Sequence, residues 1–159
     1  MEFEKKYENG LRLVVKEMTG LMSVTMGIIV GAGSSNETDE EDGISHFIEH
    51  MQFKGTKKRN AFEVSDSFDR IGAQVNAYTG KDATVYYTKC TSDHTATAFE
   101  VLADLFLNAT YPDEEMVREK GVCTRPSIWI SAPTTCPHSM KSWRTPTVRQ
   151  ACADRKSVV

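Results

Sequence analysis

Residues 1–122 of this 159-residue chain contain one cysteine, Cys90, one proline, Pro112, and no tryptophan. Nowhere in the chain is there a Cys-x-x-Cys pair, so neither a disulfide framework nor a cysteine-ligated metal knuckle is written in it, and the four cysteines read as free thiols. No apolar run approaches the roughly 18 residues of a membrane span. The glycine-rich turn Gly31-Ala32-Gly33-Ser34 is followed by neither Gly-x-Gly-x-x-Gly nor a Walker lysine, which argues against a phosphate cradle. A net charge of −3 offers nothing to nucleic acid or to an anionic membrane, and neither is expected as a partner. Met1 to Tyr7 is charged and lacks the apolar core of a signal peptide. The expected location is therefore cytoplasmic, where the sequon Asn108-Ala109-Thr110 carries no meaning.

What is present is unevenly spread. Residues 123–159 hold six basic residues and one acid, a balance of +5, together with both tryptophans, three cysteines and four prolines. That leaves 13 basic and 21 acidic residues on 1–122, a balance of −8. The expected organisation is one domain over 1–122, and a divergent tail over 123–159 that is frame-shifted or poorly ordered.

The apolar pattern predicts strands at Leu11 to Met18 and Val24 to Val30. A helix beginning near Gly43 follows an acidic loop, Asn36 to Asp42. Asn60, with Glu63 three residues on, predicts a capping box. The helix it opens would place Ala61, Val64, Phe68 and Ile71 on one face and end at Gly72. Val75 to Tyr78 and Ala83 to Lys89 read as a hairpin. Ala98, Val101, Leu102, Leu105, Phe106 and Ala109 mark a long helix from Ser92 or Asp93, and Pro112-Asp113 opens another. Tyr86 and Tyr87 read as packing residues on opposite faces of one strand, and His94 as solvent-facing. This order predicts an α+β fold, with helices packed on one face of a mainly antiparallel sheet.

The chemistry concentrates in His46-Phe47-Ile48-Glu49-His50. On a helix, residues four apart stack on one face, so His46 and His50 can grip one zinc ion. Glu49 lies beside them, close enough to take a proton from metal-bound water. His-x-x-Glu-His, the reverse of the common order, is among metalloprotease signatures. The competing view has two polar residues on an exposed helix face, with Phe47, Ile48 and Met51 on the core side.

The flanks strengthen the metal reading. Gly43 to Thr56, Ser67-Phe68-Asp69-Arg70-Ile71-Gly72-Ala73-Gln74-Val75-Asn76-Ala77-Tyr78-Thr79, Thr84-Val85-Tyr86-Tyr87, Val101-Leu102-Ala103-Asp104 and Arg118-Glu119-Lys120-Gly121-Val122 together resemble the insulinase-type (pitrilysin) zinc metallopeptidases, in their processing-peptidase-like branch. The resemblance implies the same α+β layer. It makes His46 and His50 ligands of Zn2+, Glu49 the general base of peptide hydrolysis, and Glu119 an outer carboxylate that orients a ligand. It makes Asn76 and Ala77 part of an edge strand that holds a peptide or unfolded polypeptide by strand addition. It also implies a second homologous half, or subunit, closing around the substrate.

One departure stands out. The resemblance implies a third zinc ligand, a glutamate on a later helix, at the place where Pro126 stands, and proline supplies no side-chain donor. The break begins after Val122, where Cys123-Thr124-Arg125-Pro126 interrupts a helix that should continue. The hypothesis is a shifted reading frame. Codons for Ile128-Trp129-Ile130, read two bases in, permit Asn or Asp, then Met or Leu, then Asp, and the nucleotide sequence around codon 122 decides the point. Three functions stand open: a zinc endopeptidase present as an incomplete amino-terminal portion, a non-catalytic truncated chain, and a peptide-binding module working through a sheet edge.

Overall fold

The computed structural model describes residues 2–39 and 41–123. Pro126, the cysteines Cys136 and Cys152, and all of the divergent tail expected over 123–159 except Cys123, the last residue of the final helix, lie outside the described residues.

The elements, in chain order, are β1 (Glu2–Lys6), β2 (Arg12–Lys16), β3 (Ser23–Val30), α1 (Ile44–Gln52), α2 (Ala61–Asp69), β4 (Gln74–Thr79), β5 (Thr84–Thr91), α3 (Thr95–Asn108) and α4 (Asp113–Cys123), with single turns of 3-10 helix at Ser34–Asn36 and Ser92–His94. β1 and β2 form an antiparallel ribbon with Phe3 opposite Val15. The other three strands make an antiparallel sheet in the order β3-β5-β4, with Gly27 opposite Tyr87 and Ala77 opposite Tyr86. The α+β expectation holds, with helices against an antiparallel sheet.

β5 is the central strand, and its alternation shows which face is covered. Thr84, Tyr86, Thr88 and Cys90 are buried, while Lys89 and Thr91 between and beyond them are exposed. α3 lays Ala98, Val101, Leu102 and Leu105 on that face, and α2 adds Val64 and Phe68. Each large aliphatic or aromatic side chain removed from water there contributes about 1.5–3 kcal/mol. Tyr86 packs its ring against Phe53 and Phe106, as expected of a packing tyrosine, and His94 is exposed.

α2 forms where its capping box predicts. Glu63 donates its amide to Asn60 Oδ1 at 2.9 Å, and the Glu63 carboxylate accepts the Asn60 amide at 2.8 Å. Gly72 ends it at φ +61°, in the left-handed region where glycine carries no Cβ penalty. Two expectations need correcting. Ala61 is exposed rather than part of the buried stripe, because it is the first residue of the helix and precedes the turn that meets the core. Glu2–Lys6, read only as a charged start, is a strand.

Gly33, in the turn taken as an unlikely phosphate cradle, has a packing reason. A Cβ there would collide with the backbone oxygens of Gly80 and Lys81. The turn is tied to that hairpin loop by Ser34 N–H to Gly80 O at 3.1 Å and Ser35 N–H to Lys81 O at 2.9 Å. This seats the segment leading into α1 against the end of β4.

Candidate functional site

α1 presents the His-x-x-Glu-His motif as a single helix, Ile44–Gln52. Gly43, at its amino terminus, has no side chain to cap the free amides. Glu37 supplies the cap from outside, accepting Gly43 N–H at 2.8 Å and Ser45 N–H at 2.7 Å. A carboxylate there is also favoured by the helix dipole. Phe47 and Met51 turn into the core, which leaves His46, Glu49 and His50 half-buried.

The carboxyl end of α1 is anchored as firmly. Buried Gln52 donates Nε2 to the backbone oxygens of Leu105 and Phe106, both at 2.9 Å. Its Oε1 accepts the Tyr111 hydroxyl at 2.6 Å. With both ends held, the helix has little freedom to rotate the histidines away.

His46 Nε2 and His50 Nε2 are 3.0 Å apart, with their rings nearly perpendicular at 81°. Two nitrogens each bound at zinc's usual distance in a tetrahedron lie about 3.3 Å apart, so the pair fits one ion with a small adjustment. Burial first, then the neighbouring His50, pushes the His46 pKa below its ordinary value, against smaller opposing effects of Glu49 and Glu37. His46 is therefore neutral at neutral pH, the state a metal ligand requires.

His50 Nδ1 faces Glu119 Oε2 at 3.0 Å, and Glu119 Oε1 faces Lys54 Nζ at 2.5 Å. Glu119 is only 7% exposed. Burial raises its pKa, but the hydrogen bonds from Lys54 and His50 outweigh it and hold the carboxyl below its usual range. A carboxylate only accepts, so Nδ1 of His50 is the donor, and in the neutral imidazole this leaves the lone pair on Nε2. That carboxylate–histidine pairing is the one that orients imidazole ligands.

Glu49 Oε2 accepts a short hydrogen bond from Thr79 Oγ1, at the end of β4. β4 is an edge of the three-stranded sheet. On it, Asn76 is exposed and its Oδ1 accepts the Ala77 amide at 2.8 Å, while Ala77 packs partly against the core.

The structure thus gathers His46, Glu49, His50 and Glu119, and places the Asn76–Ala77 strand next to Glu49 through Thr79. Among the described residues no three His, Cys, Asp or Glu side chains are placed to hold one metal ion, and Pro126 lies beyond them. Sequence reasoning missed Glu37, Lys54 and Thr79. Of these Glu37 lies near enough in sequence to α1 to have been sought as its cap, and Lys54 sits one helical repeat after His50.

Comparison with known proteins agrees with this geometry. The model of the family described as Insulinase (Peptidase family M16) matches residues 12–139. The chain is 43% identical over 144 residues to the uncharacterized zinc protease YmxG of Bacillus subtilis, covering 89% of this chain and 35% of that protein. It is 45% identical over 118 residues to the mitochondrial-processing peptidase subunit beta of Mus musculus, covering 74% and 24%. A protease from Helicobacter pylori superposes with a TM-score of 0.75 at 27% identity, over 81% of this chain and 31% of that one. The chain therefore spans between a quarter and about a third of the relatives it matches. A motif helix carrying paired imidazoles, the sheet it packs on, and a sequence match running through both place this chain in the insulinase family, peptidase family M16.

Proposed function

We propose that the chain is the amino-terminal portion of a zinc endopeptidase that hydrolyses peptide bonds in small or unfolded polypeptides. The observation that carries this is the 3.0 Å approach of the His46 and His50 Nε2 atoms, with Glu49 on the same helical turn. Zinc would be held by those two nitrogens, and when bound would supply a Lewis acid that lowers the pKa of water and polarises a carbonyl.

The protein's own groups do the rest. Glu119 keeps the His50 proton on Nδ1. Thr79 donates to Oε2 of Glu49, which orients that carboxylate and leaves Oε1 as the group to accept a proton. The open side of β4 offers backbone groups to an extended peptide, a mode of binding that depends little on side-chain identity. Ala77 N–H is already taken by Asn76 Oδ1, so a peptide pairing there must first displace the Asn76 carboxamide.

A second reading, a non-catalytic chain of the same family, is favoured by the count of donors. Among the described residues no third donor joins the imidazole pair to hold the same ion. On that reading zinc binds weakly and little turnover follows, whereas the first reading has a second homologous half or subunit closing around the substrate.

Zinc titration combined with cleavage of an unfolded polypeptide tests both. The first reading expects binding that is lost in His46→Ala and His50→Ala, and cleavage that is lost in Glu49→Gln while zinc is kept. Binding without cleavage supports the second. Zinc binding that survives both histidine substitutions sinks the assignment.

A further inference from the structure

Lys54 is absorbed by no step above, yet it touches the side chain that sets the state of His50. It follows the end of α1, with its amide donated to Met51 O at 3.1 Å. Its ammonium lies 2.5 Å from Glu119 Oε1 and 3.8 Å from Glu115 Oε2 on α4. Glu119 thus divides its two oxygens, one to the lysine and one to His50 Nδ1.

That division has a consequence. The terminal torsion of a glutamate is broad and roughly two-fold, so a buried carboxylate held at one oxygen can turn or swing. Held at both, it can do neither without taking the closest partner from a partly buried ammonium and leaving a buried oxygen unpaired, which is costly. With the carboxylate fixed, the proton of His50 stays on Nδ1 and its lone pair stays on Nε2, aimed at His46.

We propose that Lys54 is a positioning residue. It locks Glu119 so that His50 is held in the Nδ1–H tautomer, and it keeps Glu119 itself from swinging in as a metal ligand. The proposal builds on the zinc reading, but its direct readout needs no metal. The bland alternative is that Lys54 only ties α4 to α1. That role would change the melting temperature and leave the tautomer of a folded variant untouched.

The experiment uses the metal-free 159-residue chain labelled with 15N, with histidine tautomers read from two-bond proton–nitrogen spectra. In the wild type, His50 is expected in the Nδ1–H form. Lys54→Arg should retain it, since an open groove of about 580 Å3 lined by Lys54, Phe62, Pro112 and Glu115 leaves room for the guanidinium. Lys54→Met should bring the Nε2–H form to a comparable population, and zinc affinity should fall about 10- to 100-fold, the usual loss when a ligand's outer partner is disturbed. If Lys54→Met does not fold, Lys54→Leu, which likewise offers no donor to Glu119, is read in its place. A folded Lys54→Met or Lys54→Leu variant whose His50 remains wholly Nδ1–H overturns the proposal, even if the wild type binds zinc tightly. A tautomer shift in a chain that binds no zinc upholds the positioning role and overturns the metal reading instead.

Discussion

Among the described residues two carboxylates are buried beside a cation, and they are used differently. Asp104, on α3, accepts Thr56 Oγ1 at 2.8 Å and Arg59 at 2.6 Å on one oxygen, and Asn108 at 2.9 Å on the other. Thr56 Oγ1 in turn accepts the amides of Lys58 and Arg59, so the loop between α1 and α2 is stitched to α3. Glu119, on α4, has two donors: a flexible lysine, and an imidazole whose second nitrogen faces another imidazole. Three fixed donors make Asp104 a rivet. A donor that can exchange tautomer makes Glu119 a control point. Burial and charge pairing are common to both, and the chemistry of the partner decides which is structural.

Breaking the rivet should show the largest effect. Asp104→Ala leaves Arg59 partly buried without its closest acceptor, and the loss of one member of such a pair is expected to cost about 3–5 kcal/mol by denaturant unfolding. Lys54→Met should cost less, about 1–3 kcal/mol, the range for one buried acceptor left unpaired, because Glu119 keeps the His50 donor on its other oxygen. Equal losses for the two, or the reverse order, would erase the distinction drawn between them.

Acid separates the sites next. Burial raises the pKa of Asp104, but hydrogen bonds from Thr56, Asn108 and Arg59 outweigh it and leave the net shift downward, as they do for Glu119 with its own donors. A depressed folded pKa means the unfolded chain binds more protons. The stabilisation is therefore complete above the ordinary carboxylate range of about pH 4 and is lost as pH falls through the folded values, by at most about 1.4 kcal/mol per pH unit per group. Asp104→Asn should flatten that acid limb, measured by unfolding at a series of pH values. A variant with the wild-type slope would mean that Asp104 is not one of the groups responsible.

Which parts were legible beforehand follows from the range of the interactions. The His46–His50 pair, the Asn60–Glu63 box and the apolar stripe of α3 are set by residues three or four apart, and a helical repeat displays them directly. The β4–β5 hairpin is nearly as local. What was hidden joins distant segments: Glu49 to Thr79, Arg59 to Asp104, Lys54 to Glu119. No periodicity encodes such pairings, because they depend on how the layers dock. Glu37 is an intermediate case, capping α1 from only six to eight residues away. It stood in a stretch whose acidity read simply as loop. β1 went unread for another reason: a two-stranded ribbon with every residue exposed leaves only a weak apolar signal.

The smallest expected effect sharpens the comparison from the outer side of the rivet. Arg59 reaches past Asp104 to Glu100, whose Oε2 accepts its NH2 at 2.8 Å, and Lys58 approaches the same carboxylate at 3.8 Å. The Glu100 side chain is half exposed, so this pair sits in high dielectric and is screened by salt. Glu100→Ala should therefore cost about 0.5 kcal/mol at low ionic strength, and less as salt is raised towards 1 M. Asp104→Ala should keep most of its penalty over the same salt series, since buried partners are screened far less. If the Glu100 effect were as large and as insensitive to salt as that of Asp104, the anchoring of Arg59 would lie at the surface, and the buried carboxylate could not be what holds the α1–α2 loop to α3.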